Sequence, residues 1–180
     1  VKKYMLRLFL FAIISEIPFN LIMGSSVFYL FHQNVLWTFL LGVLSIQIIE
    51  KAKKKQKKWI SFFVVCLLLL MDFLLGTITM VDYNAAGILT VLLFYFFRKK
   101  TWISFAAQLI GLYYLNVVML GNLYYPVTIL GHHFEIAQQS FALLALIPIW
   151  LYHGEQGYHS KWFYPVHLLI LFVIWQWRIR

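Results

Sequence analysis

Charge, and negative charge above all, is scarce in this sequence. Six Asp and Glu stand in 180 residues against fifteen Lys and Arg, and charged residues of both signs make up only 12% of the chain. A soluble domain carries about 25% charged and about 45–50% apolar residues, whereas this chain is 63% hydrophobic and 19% aromatic. So few charges cannot coat the surface that such an apolar content demands, which excludes both a soluble globular enzyme and a disordered chain. Cys66 is the single cysteine, which excludes a disulfide scaffold within the chain. No Pro/Gly/Ser linker, repeat or low-complexity tract divides the sequence, so residues 1–180 read as one domain. No small-residue cleavage site follows Pro18, so the first apolar stretch does not read as a signal peptide.

What is there is a succession of long apolar runs, and they predict an integral membrane protein. At roughly 20 residues per span the length accommodates about seven. The segments are Tyr4–Met23, Val35–Ile49, Trp59–Met80, Tyr83–Phe97, Trp102–Leu120, Phe134–Tyr152 and Trp162–Trp177. The third and fourth are joined so tightly that either both cross or one is a shallow member of a helical hairpin. Lipid offers no water to backbone groups, and the ten-residue alternation of a membrane barrel is absent, so the expected fold is an all-α polytopic bundle.

The basic residues give the bundle a direction. Lys2, Lys3 and Arg7, the run from Lys51 to Lys58, Arg98, Lys99 and Lys100, and Lys161 fall on one side if the spans alternate. The intervening loops 24–34, 81–82 and 121–133 hold no Lys or Arg, and only Arg178 and Arg180 oppose the pattern. This positive-inside bias places the N-terminus in the cytoplasm. Trp37, Trp59, Trp102, Trp162 and Trp177 sit near span ends, where interfacial anchors belong. The net charge of +9 therefore serves topology and attraction to anionic lipid rather than nucleic acid.

Ionisable groups inside apolar spans are costly and mark functional candidates. Glu16 lies deep in the first segment, and Asn20, four residues on, shares its helical face. Pro18 between them frees a backbone carbonyl one turn back. Two readings stand: a polar site facing the bundle interior, or a buried carboxyl paired with a base on a neighbouring helix. Asp72, midway along the third segment, must face the bundle or sit protonated, and an interhelical hydrogen bond accounts for it better than function does. Asp82 precedes the fourth segment, where capping the helix explains it. His167 is an ionisable ring within the seventh segment. His32, His132, His133, His153 and His159 lie in loops. His132 with Glu135 is the nearest approach to ligand spacing, and with no second cluster no metal site is expected. GxSxG, phosphate-cradling and HExxH motifs are absent.

Several ordered strings carry a resemblance. Lys3-Tyr-Met-Leu-Arg-Leu-Phe-Leu-Phe-Ala-Ile-Ile-Ser-Glu-Ile-Pro-Phe-Asn20 and Asn34-Val-Leu-Trp-Thr-Phe-Leu-Leu-Gly42 open the series. Asp82-Tyr83 with Gly87 and Leu92-Leu-Phe-Tyr-Phe-Phe-Arg98 follow, then Gln139–Leu146 with Tyr152-His-Gly154, and last Tyr164-Pro-Val-His-Leu-Leu-Ile170. In this order they resemble the TraX family, named for a conjugation protein that acetylates the pilin N-terminus in the bacterial inner membrane. The resemblance implies an integral membrane acetyltransferase that takes acetyl-CoA from the cytoplasm and delivers the acetyl group to an amine or hydroxyl acceptor, pilin among the possibilities. It implies Glu16 and His167 as catalytic candidates, with Asp82, Tyr83, Asp72 and Asn20 lining the pocket and Arg98, Lys99 and Lys100 meeting the CoA phosphates. It also implies further membrane helices upstream carrying an Asp-His pair, so the chain is expected to be N-terminally truncated. The competing expectation is a polytopic membrane protein without enzymatic activity, either an assembly factor for a surface structure or a small-solute transporter.

Overall fold

The structure is a computed structural model, and it describes residues 2–23, 27, 29, 32–55, 57–78, 81–121, 123–129, 132–153 and 162–179. His159, Lys161 and Arg180, and with them part of the expected loop chemistry, lie outside the described residues. The helices are α1 (Lys2–Met23), α2 (Val35–Lys55), α3 (Lys58–Ile78), α4 (Asn84–Phe96), α5 (Trp102–Tyr113), α6 (Leu146–Leu151) and α7 (Phe163–Ile179). A π-helical turn, Tyr114–Met119, extends α5, and a 3₁₀ helix, Gln138–Ala145, leads into α6. Among the described residues the fold is all-α apart from a short antiparallel hairpin, β1 (Tyr124–Ile129) and β2 (His132–Ala137), and an isolated bridge between Gln33 and Val81.

Polar side chains share the interior with the apolar core, while many large apolar side chains are left outside. Ser15, Asn20, Asn34, Thr38, Ser45, Ser61 and Asp72 are buried, while Leu67, Phe63, Leu70 and Ile78 are exposed. Along α2 the buried positions are Thr38, Gly42, Ser45, Ile49 and Ala52. Their spacing alternates four and three, which keeps a mostly small-residue seam on one face of the helix. Small residues let membrane helices approach closely, and lipid is as apolar as the leucines left outside. The chain is therefore a membrane protein. Among the described residues four helices have the length and apolarity to cross a bilayer: Lys2–Met23, Val35–Lys55, Lys58–Ile78 and Trp102–Met119. Three further apolar helices, Asn84–Phe96, Gln138–Leu151 and Phe163–Trp177, are shorter.

Two compact units make up the chain: residues 1–88 with 157–180, and residues 89–156. In the first, α1 packs on α2 and α7, and α2 on α3. The Lys-rich segment expected as a loop is mostly the last turns of α2, which runs on to Lys55 before α3 opens at Lys58. Ser61 Oγ donates to the Ala52 carbonyl at 3.0 Å across this tight connection. At the other end of α3, Gly76 lies so close to α4 that an added Cβ would stand 2.6 Å from Ala85 Cα. The turn that follows holds Tyr83 and Asn84 at positive φ, 62° and 45°. Asn tolerates this region, whereas Tyr is uncommon there. With 13 residues, α4 is about 20 Å long, well short of a bilayer's hydrocarbon core of about 30 Å.

In the second unit Thr101 caps α5, its hydroxyl accepting the Ser104 N–H at 3.2 Å. Gln108 donates to the Phe97 carbonyl at 2.8 Å and accepts the Trp150 indole N–H at 2.8 Å. The segment expected as a sixth span, Phe134–Tyr152, is not one continuous α-helix. Its first residues belong to β2, the next eight form the 3₁₀ helix, and α6 has six residues. Pro148 within α6 has no N–H to offer the preceding turn.

Candidate functional site

The first unit gathers a polar cluster around Glu16. Pro18 sits inside α1, one turn beyond Ile14, whose carbonyl loses its helical donor. Glu16 and Asn20 point from this stretch into a cavity of about 330 Å³, whose wall also includes Ile13, Ile17, Gln33 and Trp37. The Glu16 carboxyl is oriented through one oxygen. Asn34 Nδ2 donates to Oε2 at 2.5 Å and Trp37 Nε1 donates to the same atom at 3.0 Å. Oε1 is buried without a hydrogen-bond partner among the described residues, and so are Ser15 Oγ and Asn20 Oδ1. Asn20 Nδ2 makes a long contact, 3.4 Å, to the Val27 carbonyl.

Asn34 is the joint of this arrangement. It is fully buried, and its Nδ2 also donates to the Ala12 carbonyl at 2.8 Å. Its Oδ1 accepts the Leu36 N–H at 3.0 Å, which is the N-cap bond that starts α2. One side chain thus begins a helix, ties it to α1 and fixes a carboxyl.

A second layer abuts the first. His32 Nε2 stands 3.3 Å from Asp82 Oδ1, and its ring stacks on Phe19 with centroids 5.6 Å apart. The turn bearing Asp82 is held to the segment before α2 from both sides. Asp82 N–H donates to the Gln33 carbonyl at 2.8 Å, and Thr38 Oγ1 donates to the Asp82 carbonyl at 2.8 Å. Asp82, read as a helix cap, therefore directs its carboxyl to a histidine. Tyr83 follows it in the left-handed region, and such an outlier is common where a side chain is aimed for function.

Tyr164 links α7 to this cluster: its hydroxyl lies against the Val35 backbone N–H. One turn on, His167 packs edge-on against the Tyr164 ring at 5.3 Å and stacks on Phe163 at 5.1 Å. Its Nδ1 is 3.1 Å from the Phe163 carbonyl, so Nδ1 is the donor in that contact. The structure brings His167 to the periphery of the Glu16 cluster through Tyr164.

Other expected residues separate from this site. Asp72 forms its own pair in the α2–α3 interface, where Ser45 Oγ donates to Oδ1 at 2.7 Å. Neither Asp72 nor Asp82 and Tyr83 is on the cavity wall, which Glu16 and Asn20 do share. In the second unit Arg98, Lys99 and Lys100 line a smaller cavity of about 210 Å³ together with Phe94, Gln108 and Trp150. Arg98 lies 4.9 Å over the Tyr95 ring. Lys100 Nζ donates to the carbonyls of Trp150 at 3.0 Å and Tyr152 at 2.5 Å, at the C-terminal end of α6. No group of three His, Cys, Asp or Glu able to hold a metal exists among the described residues.

Sequence reasoning places His32 in a loop and Trp37 at a span end as an anchor, and quotes Asn34 and Tyr164 only within the ordered strings, so it assigns none of the four to the site. The one available signal was the string His32-Gln-Asn34 immediately ahead of an apolar run, three polar residues where a helix must be capped.

Taken together, the apolar exterior and the buried carboxyl cluster define a polytopic helical membrane protein with a polar site set among its helices. The chain belongs to the TraX family: the family's sequence model, described as TraX protein, matches residues 1–175. No curated protein and no solved structure matches the chain.

Proposed function

We propose that this TraX-family chain is an acetyltransferase of the bacterial inner membrane, taking the acetyl group from acetyl-CoA and delivering it to an amine or hydroxyl acceptor, with the pilin N-terminus as one acceptor of the right chemistry. The observation that carries the reading is the Glu16 carboxyl, held through Oε2 by two donors while Oε1 has no partner among the described residues, on the wall of a cavity of about 330 Å³. A carboxyl fixed through one oxygen presents the other in a defined direction, which is what a general base requires. The acceptor N–H or O–H loses its proton as its heteroatom bonds to the thioester carbon. The C–S bond then breaks, and the CoA thiolate takes up a proton. The donors Asn34 and Trp37 orient Glu16, and His167, packed on Tyr164, is the second catalytic candidate in this reading. His32 with Asp82 forms a further proton-handling pair beside them.

Arg98, Lys99 and Lys100 are the candidate cations for the co-substrate's phosphates within the second unit. Three cations around one cavity on the Lys/Arg-rich side suit CoA phosphates. The test is transfer of labelled acetyl from acetyl-CoA to a peptide with a free N-terminus, using the full chain in phospholipid vesicles. Glu16→Gln and His167→Ala are expected to insert normally and lose transfer. Undiminished transfer in both overturns the site, and failure of the unaltered protein to bind acetyl-CoA overturns the activity.

A further inference from the structure

The β1–β2 hairpin has a face that neither the polar cluster nor the basic cavity uses. Its register pairs Tyr125 with Ile136, Val127 with Phe134 and Ile129 with His132. Directly opposed residues share a face, so five of these six are apolar or aromatic. The other face pairs Tyr124 with Ala137, Pro126 with Glu135 and Thr128 with His133. There Thr128 Oγ1 and His133 Nδ1 lie 2.9 Å apart across the strands. The apolar face is open at Tyr125 and Phe134, each 50% exposed, with Val127 and Ile136 half-buried. A sheet of two strands is marginal in water on its own, so an open apolar face of this kind needs a cover.

The chain itself states where that cover is. The membrane-length helix Trp102–Met119 ends four residues before β1, and four residues reach at most about 14 Å. On the far side Ala137 passes without a break into the apolar 3₁₀ helix. Both ends of the hairpin are therefore tethered at the bilayer surface. Residues 101–160 contain no Lys or Arg, so the loop belongs opposite the basic side, and apolar contact rather than cationic attraction must hold it. Full insertion is excluded by the two outer strand edges, whose N–H and C=O groups need water. A position in the headgroup and upper acyl region satisfies both demands, and Tyr is the residue type favoured at that depth.

We propose that the β1–β2 hairpin is an interfacial anchor that lies flat on the phospholipid surface opposite the Lys-rich side, with Tyr125, Val127, Phe134 and Ile136 in the lipid and Thr128, His133 and Glu135 in water. The partner is the bilayer itself, and the inference stands independently of the acetyltransferase reading.

The test places a nitroxide at one position at a time in the full chain carrying Cys66→Ser, reconstituted in phosphatidylethanolamine/phosphatidylglycerol vesicles. Collision rates with oxygen, which partitions into lipid, and with a water-soluble nickel chelate are compared. The oxygen-to-nickel ratio is expected to be several-fold higher at 125, 127 and 134 than at 124, 128 and 135, alternating along each strand. A ratio that is uniformly aqueous, or an apolar face shielded from both reagents because protein covers it, overturns the proposal. Ile136 replaces Phe134 if labelling there perturbs the helical circular dichroism.

Discussion

Asn34 and Glu16 come from segments eighteen residues apart and meet through a hydrogen bond of 2.5 Å. The same amide starts α2 and holds the Ala12 carbonyl of α1. Two consequences of one contact can therefore be separated by experiment: the stability of the α1–α2 pair and the orientation of the carboxyl.

Asn34→Ala removes an N-cap, worth about 0.5–2 kcal/mol, and takes one donor each from the Ala12 carbonyl and from Glu16 Oε2, which keeps the Trp37 indole N–H, at about 0.5–1.5 kcal/mol per lost bond. The variant is expected to unfold at clearly lower temperature in detergent micelles. Asn34→Asp keeps the cap acceptor, loses both donors and faces a second carboxyl, so it should be no better. A melting temperature equal to that of the unaltered chain in both variants would contradict the assigned role.

Ser45 and Asp72 form the second buried pair, with Asp72 Oδ2 unpartnered among the described residues. Ser45→Ala should destabilise by about 1–3 kcal/mol, because a buried carboxyl loses its donor. Adding Asp72→Leu to Ser45→Ala should recover most of that loss, since a buried polar pair replaced by packed apolar groups is often neutral. Additive losses in the double variant would show that Asp72 has a further partner that stabilises it.

Gly76 tests the close approach of α3 to the start of α4. A Cβ there meets backbone, 2.6 Å from Ala85 Cα, and backbone cannot rotate away. Gly76→Ala should cost about 1–3 kcal/mol by overpacking, and Gly76→Val more, with displacement of the Asp82-Tyr83 turn. Wild-type thermal stability of Gly76→Ala would contradict the packing.

Lys99 and Lys100 are neighbours with different employment. Lys100 is engaged with the carbonyls that end α6. Lys99→Ala should weaken acetyl-CoA binding, measured by calorimetry, without moving the melting temperature. Lys100→Ala should affect both. Equal behaviour of the two variants would contradict this division.

Local chemistry was the legible part. Glu16 and Asn20, four apart, read as sharing one helix face, and both do line the cavity. The apolar runs located α1, α2 and α3 because lipid-facing helices advertise themselves by composition. What the sequence could not display were contacts set by helix packing. Trp37 has the composition of an anchor, and only the α1–α2 crossing turns its indole to Glu16. Asp82 has the position of a cap, and only the Tyr83-Asn84 turn directs it to His32. The hairpin is hidden because Pro126 and the paired histidines blur its alternation, and because β2 runs from the expected loop 121–133 into the expected span Phe134–Tyr152. The 3₁₀ helix and α6 were read as one span because apolar composition does not report hydrogen-bond pattern.

The most direct test of the account is a steady-state comparison of Glu16→Gln with the unaltered chain, both in phospholipid vesicles, following acetyl transfer across a range of acetyl-CoA concentrations. If the carboxyl is the base, kcat falls by about 10²–10⁴-fold, while the KM for acetyl-CoA, set by the basic cavity, stays where it was. An unchanged kcat, or a loss confined to KM, would contradict the central claim that Glu16 performs the proton transfer.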